Sequence, residues 1–101
     1  MYRKRMIKLI SETYTTDSIG QRVPTLTEHE YIAEVDSVSR SEFYQAGQIG
    51  LTPEYRFRIN RLAYNGEKII EYDGKRYGVY RTYEASPYMI ELYAERKGGI
   101  Q

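Results

Sequence analysis

Hydrophobic and polar positions alternate along much of the chain with the two-residue period of half-buried β-strands. The cleanest run is residues 28–38, where Tyr31, Ala33 and Val35 share one face and Glu30, Glu34 and Asp36, with Ile32 among them, share the other. Residues 55–61 repeat the pattern, with Tyr55, Phe57 and Ile59 inward and Arg56 and Arg58 outward. One outer face is acidic and the other basic. If the two strands are neighbours, opposite charges facing each other help fix their register at roughly 0.2 to 1 kcal/mol per pair. If they are not, both are solvated charged faces. Residues 89–95 form a closing strand with Ile90, Leu92 and Ala94 inward, and residues 2–11 a first strand whose Met6, Ile7, Leu9 and Ile10 put apolar groups on both faces, as if covered on both sides.

The sharpest local signal is the pair of β-rich runs at residues 68–72 and 75–83, joined by Asp73-Gly74, a dipeptide that tolerates the positive φ angles of a type I′ turn. A two-residue loop sets Tyr72 opposite Lys75, Glu71 opposite Arg76 and Ile70 opposite Tyr77. Glu71 and Arg76 are then a cross-strand ion pair, and Ile70, Tyr77 and Val79 face the core. Turns are also expected at Asn65-Gly66 and around Pro87. Residues 13–27 hold Thr, Asp, Ser, Gly and Pro with little periodicity, which predicts a long, mobile turn centred on Asp17 to Gly20. The tail, residues 97–101, is expected to fray. The chain of 101 residues is read as one all-β domain, residues 1–101. Five to six antiparallel strands form a small β-barrel or sandwich, with closure favoured because it removes exposed edges.

One segment, residues 39–54, breaks the strand pattern as a long inter-strand excursion containing a short helix. Ser39 caps the helix and Glu42, three residues on, reaches back to the free N–H, the reciprocal capping-box arrangement. Gly47 and Gly50 stop it. Two turns do not support themselves in water, so the helix needs a surface to dock on, another subunit being one candidate. Phe43, Tyr44 and Ala46 would supply the contact.

Composition narrows the chemistry. A formal net charge of +1 with 29% charged residues gives no global reason to invoke nucleic acid. There is no cysteine, hence no disulfide framework and no thiolate metal site. The apolar run from Met6 to Ile10 is broken by Lys8 and too short for a targeting segment or a membrane span. Twelve tyrosines and two phenylalanines suit a thin sheet and a subunit interface equally well. The single histidine, His29, has only Glu28 and Glu30 beside it, and these point to the opposite face of a strand, so the run cannot converge on one ion. No serine sits in a Gly-x-Ser-x-Gly setting, and Gly47-Gln-Ile-Gly50 lacks the lysine of a phosphate loop. A non-enzymatic protein without metal or cofactor is therefore expected. A small β-barrel nucleic-acid-binding module is the alternative: residues 55–61 have the aromatic and basic composition for it, although alternation sends Tyr55 and Phe57 away from Arg56 and Arg58.

Residues 40–50, followed by residues 55–59, the run Glu71-Tyr72-Asp73-Gly74-Lys75-Arg76-Tyr77 and a final strand at residues 90–94, resemble the head-closure proteins of tailed bacteriophages, also called head-tail joining, adaptor or stopper proteins. The resemblance runs from about Ile7 to about Arg96 and rests on the order and spacing of several loose motifs. It implies a structural component of the phage or prophage head-tail connector: a ring beneath the portal and adaptor proteins that closes the channel once DNA is packaged and then offers a docking surface to the tail proteins. Self-association into that ring, contact with packaged DNA without sequence specificity, and a place in the virion after assembly in the bacterial cytoplasm follow from it. The channel loop of the family falls on residues 39–54, where Arg40, Glu42, Phe43, Tyr44 and Gln45 match its polar-aromatic run and Gly47 and Gly50 depart from it. Arg56 and Arg58 are candidates to face passing DNA, with solvated strand cations as the other reading.

Overall fold

The computed structural model describes residues 3–96; the expected fraying of residues 97–101 lies outside them. Six strands make a closed antiparallel barrel in the order β1-β2-β3-β6-β5-β4, with β4 returning to β1. They are β1 (Arg3–Thr16), β2 (Arg22–Ser37), β3 (Pro53–Asn60), β4 (Ile69–Tyr72), β5 (Lys75–Glu84) and β6 (Met89–Arg96). One helix, α1 (Arg40–Gly47), lies between β2 and β3, and a 3-10 turn (Arg61–Ala63) follows β3. The fold is thus the small all-β barrel with one helical excursion that the alternation predicts.

The inward positions are those the period assigns. Ile7, Leu9, Ala33, Val35, Phe57, Ile59, Ile70, Tyr77, Ile90, Leu92 and Ala94 are buried together, which supplies the hydrophobic driving force for closure. Phe57 and Tyr77 pack with Tyr55 and Tyr72 in an aromatic cluster, the Tyr55 ring lying edge-on to Tyr72 and to Tyr77 at 5.4 Å in each case, the geometry aromatic quadrupoles favour. The β4–β5 hairpin has the expected register, Tyr72 facing Lys75, Glu71 facing Arg76 and Ile70 facing Tyr77. Its turn is carried by Asp73 at φ 55° and Gly74 at φ 75°, and Arg76 lies 3.6 Å from Glu71.

β2 and β3 are neighbours, with Glu34 facing Arg58 and Asp36 facing Arg56. The charged faces therefore meet: Arg58 Nε is 2.8 Å from Glu34 and Arg56 3.3 Å from Asp36. β6 lies on the other side of β3 and sets Glu91 beside Arg58 and Tyr93 beside Arg56. Both are buried, Glu91 at 8% and Tyr93 at 7% exposure, although alternation puts them on the outer face. The Tyr93 hydroxyl donates to Glu91 at 2.9 Å, and the Arg81 guanidinium lies 3.9 Å from the centre of the Tyr93 ring.

Two expectations fail. Residues 13–27 are not a long turn. β1 and β2 stay paired without interruption from Arg3 facing Val35 to Thr16 facing Arg22, and only the tip around Asp17 to Gly20 turns, closed by the Asp17 carboxylate accepting the N–H groups of Ile19 and Gln21. β1 meets β4 only from Lys8 to Ile10, and β2 meets β3 only from Glu34 to Ser37. Residues 11–27 therefore form a two-stranded arm projecting beyond the barrel. It stretches the molecule to 50 × 30 × 24 Å and its radius of gyration to 14.8 Å, against about 13 Å for a compact domain of this length. The first strand is also not covered on both sides along its length: Ile10 is fully buried, but Met6 is 54% exposed and faces Ile32, 65% exposed.

Candidate functional site

All six strands alternate in direction, so the barrel has two distinct ends. The arm leaves one. The excursion leaves the other, between the end of β2 and the start of β3.

Ser39 sits in extended backbone, and its hydroxyl accepts the Glu42 N–H at 3.1 Å, while its carbonyl accepts from Phe43. This is the expected N-cap. The reciprocal half of the capping box is absent, because the Glu42 carboxylate turns across the barrel wall to β5. There it accepts from the Tyr80 hydroxyl at 2.7 Å and from two nitrogens of Arg81. Arg81 holds the Glu42 carboxyl below its ordinary range against the opposing effect of partial burial. Burial first, and then the hydrogen bond to Glu42, raise the Tyr80 phenol. The surface that a two-turn helix needs is thus supplied by its own barrel, through Glu42 and the buried Ala46. Tyr80 is placed for this by a register shift between Val79 and Arg81 in the β5–β6 ladder, a bulge of the kind that re-aims a side chain.

The other end of the helix closes as the glycines predict. Leu51 and Ile49 both donate to the Ala46 carbonyl, and Gly50 takes φ +85°. Gly47 is the last helical residue and has no positive φ. The returning chain is tied to β6 by Thr52 N–H donating to Glu95 at 3.1 Å, and Pro53, placed in the excursion by sequence, already belongs to β3.

Phe43, Tyr44 and Ile49 remain outside, 48%, 64% and 75% exposed. Phe43 and Tyr44 stack edge-on at 6.1 Å and, with Arg40 and Pro53, border a shallow depression of about 440 Å³. Gln45 and Ile49 border a second, of about 300 Å³, floored by Ala46 and Tyr80. Of the residues assigned to the channel loop, Glu42 is turned to the barrel, and Arg40, Phe43, Tyr44, Gln45, Gly47 and Gly50 lie on its exposed side.

Arg56 and Arg58 are only partly exposed and sit in the ladder Glu34–Arg58–Glu91 and Asp36–Arg56. Exposed cations at the excursion end include Arg3, Arg5, Lys75 and Arg96, besides Lys4 and the excursion's own Arg40. None of the first four has a carboxylate partner among the described residues. Arg3 borders the mouth of the barrel with Tyr55 and Tyr72, a concavity of about 360 Å³, and Glu54, Asp73 and Glu95 share this end. Sequence position alone hides the grouping, since its members come from three strand termini.

His29 is exposed on β2, its ring 6.4 Å from that of Tyr31. Among the described residues no three His, Cys, Asp or Glu side chains converge as metal ligands, and no helix is long and apolar enough to cross a membrane. No protein-family model and no curated protein sequence matches the chain.

Proposed function

We propose that the protein is a non-enzymatic building block of a phage or prophage head-tail connector. It forms a ring with copies of itself beneath the portal and adaptor, closes the DNA channel after packaging, and presents the docking surface for the tail. The observation that carries this reading is the placement of apolar side chains. The core of the barrel is filled, while both projections turn large apolar groups to solvent: Phe43, Tyr44 and Ile49 on the excursion, Tyr14, Ile19, Val23 and Leu26 on the arm. Exposed apolar groups grouped on projections mark protein contacts, and two distinct patches on one subunit suit the head-to-tail contacts of a ring. The motif order that resembles the head-closure family points the same way.

Because Glu42 anchors the first turn of α1 to β5, the excursion acts in this reading as a braced prong that meets its neighbours through Phe43 and Tyr44. The test is DNA retention in particles assembled with the Phe43→Ser, Tyr44→Ser chain. Both side chains are at least half exposed or nearly so, so the barrel is expected to fold while packaged DNA leaks. Retention at the wild-type level overturns the reading.

A further inference from the structure

A closed barrel has no free edge, yet this chain keeps two besides the outer edge of β2, which meets β3 only from Glu34 to Ser37. β5 pairs with β4 only from Lys75 to Gly78, so beyond the Val79 N–H, which donates to Lys68, residues 80–84 have β6 on one side and no strand on the other among the described residues. β1 leaves β4 at Ile10, so residues 11–16 have β2 on one side and likewise no second neighbour. One edge is six residues long and the other five.

The two edges lack the proline and lysine that blunt many unused edges, while β5 carries the bulge at Tyr80 and charges stand on both, Glu12 on one and Arg81 and Glu84 on the other. The arm's other strand carries Pro24, paired with Tyr14 in an unbroken ladder. A proline inside a paired strand turns its nitrogen away from the partner, so the outer edge of β2 is the blocked one. Residues 11–16 and 80–84 contain no proline and no lysine, the residues that natural proteins use to keep such edges apart. An isolated two-stranded ribbon is marginal in water, and a third strand is what stabilises it.

We propose that the arm of one copy adds as a strand to the next copy, residues 11–16 pairing with residues 80–84 of the neighbour. The contact is head-to-tail: each copy gives the β1 edge of its arm and receives on β5, so it propagates around a ring. Side-chain parity agrees with it. Thr13 shares the face of Ile7 and Leu9, and Thr82 faces Leu92 across the ladder, so both lie on the core side of their strands and meet when the strand centres are opposed. This inference rests on the reading that the chain assembles with itself.

The absence of cysteine gives a clean background for the test. Directly opposed positions bring Cβ atoms to about 4.5 to 5.5 Å, close to the reach of a disulfide. A Thr13→Cys chain and a size-tagged Thr82→Cys chain are mixed and oxidised at high concentration, with wild-type chain treated in parallel with an amine-reactive cross-linker. The expected product is the mixed dimer, in about tenfold excess over either homodimer, and it is lost when Tyr14→Pro, which removes an N–H turned away from β2 opposite Pro24, is added to the Thr13→Cys chain. Homodimers alone, or a mixed dimer that survives Tyr14→Pro, overturn the strand addition. If the amine cross-linker still gives multimers while the mixed dimer is missing, the edge assignment fails and self-assembly stands. If neither forms, both fail.

Discussion

At the scale of single residues, Glu42 decides how the excursion sits. Its carboxylate is 12% exposed and bonded to both Tyr80 and Arg81, an arrangement worth roughly 1 to 2 kcal/mol after discounting for the half-exposed guanidinium. Its folded-state pKa is lowered from 4.5, with the Arg81 hydrogen bond as the largest cause. A lowered carboxyl pKa means that the bonded form contributes its full stability above the unfolded value and loses it as pH falls through the folded value. Glu42→Gln is therefore expected to lower stability by roughly 1 to 2 kcal/mol at neutral pH, with the difference from wild type shrinking as the medium is acidified well below pH 4.5. Urea unfolding at the two pH values checks it, and an equal loss at both would show that the charge does not hold the helix. Tyr77 gives the opposite sign. Burial pushes its phenol up from 10.0 to about 12, so its contribution is complete below pH 10 and lost as pH rises towards 12. Tyr77→Phe is expected to flatten, without abolishing, the alkaline fall in stability, because burial also raises Tyr55, Tyr64 and Tyr93.

Secondary-structure elements were legible in the chain wherever one face is buried and the other wet. The β4–β5 register follows from Asp73-Gly74, because two φ-positive residues leave one way to fold the hairpin. The inward residues of β3 and β6 follow from the period alone. Residues 11–27 were illegible for the same reason in reverse: both faces of the arm meet solvent, so nothing imposes alternation. What encodes its strands is the β-branched propensity of Thr13, Thr15, Thr16, Val23, Thr25 and Thr27, which reads like a polar loop when Asp17, Gly20 and Pro24 stand among them. Glu42 was misassigned because a capping box and a long-range acceptor share one local pattern, and its partners lie 38 and 39 residues away. Two glycines separate local from tertiary constraint. Gly74→Ala puts a Cβ on a residue at φ +75° and is expected to cost about 1 kcal/mol. Gly47→Ala adds a Cβ that meets nothing within 4 Å and needs no positive φ, so it is expected to raise stability by about 0.4 to 1 kcal/mol through the unfolded chain. Thermal denaturation of the two variants, moving in opposite directions, checks both.

For the whole molecule the question is which part carries the stability and which the proposed assembly. The buried cluster is drawn from all six strands within the barrel, and no residue of 11–27 belongs to it. The arm therefore contributes little to the free energy of folding, although it holds about a sixth of the chain, and evolution has no core-packing reason to keep it. Replacing residues 13–25 with a two-residue turn is expected to leave the barrel's unfolding midpoint within a few degrees of the full chain and to remove self-association in sedimentation experiments. A barrel that unfolds with the arm would mean that the ribbon braces β1 and β2 and is structural. A shortened chain that still associates would move the contact to Phe43, Tyr44 and Ile49 on the excursion, which the Phe43→Ser, Tyr44→Ser chain isolates. The cations fit the same division. Those on the barrel wall, Arg56, Arg58, Arg76 and Arg81, are spent on neighbouring carboxylates, whereas Arg3, Arg5, Lys75 and Arg96, with Lys4 and Arg40 near them, stand exposed where the excursion leaves. If the chain forms the proposed ring and DNA passes that end of it, the quadruple alanine variant of Arg3, Arg5, Lys75 and Arg96 is expected to assemble normally, since none lies on the arm or the β5 edge, and yet to release DNA at lower salt than wild type, because phosphate contacts of this kind weaken steeply with ionic strength. Release at the same salt concentration would place the DNA against another surface.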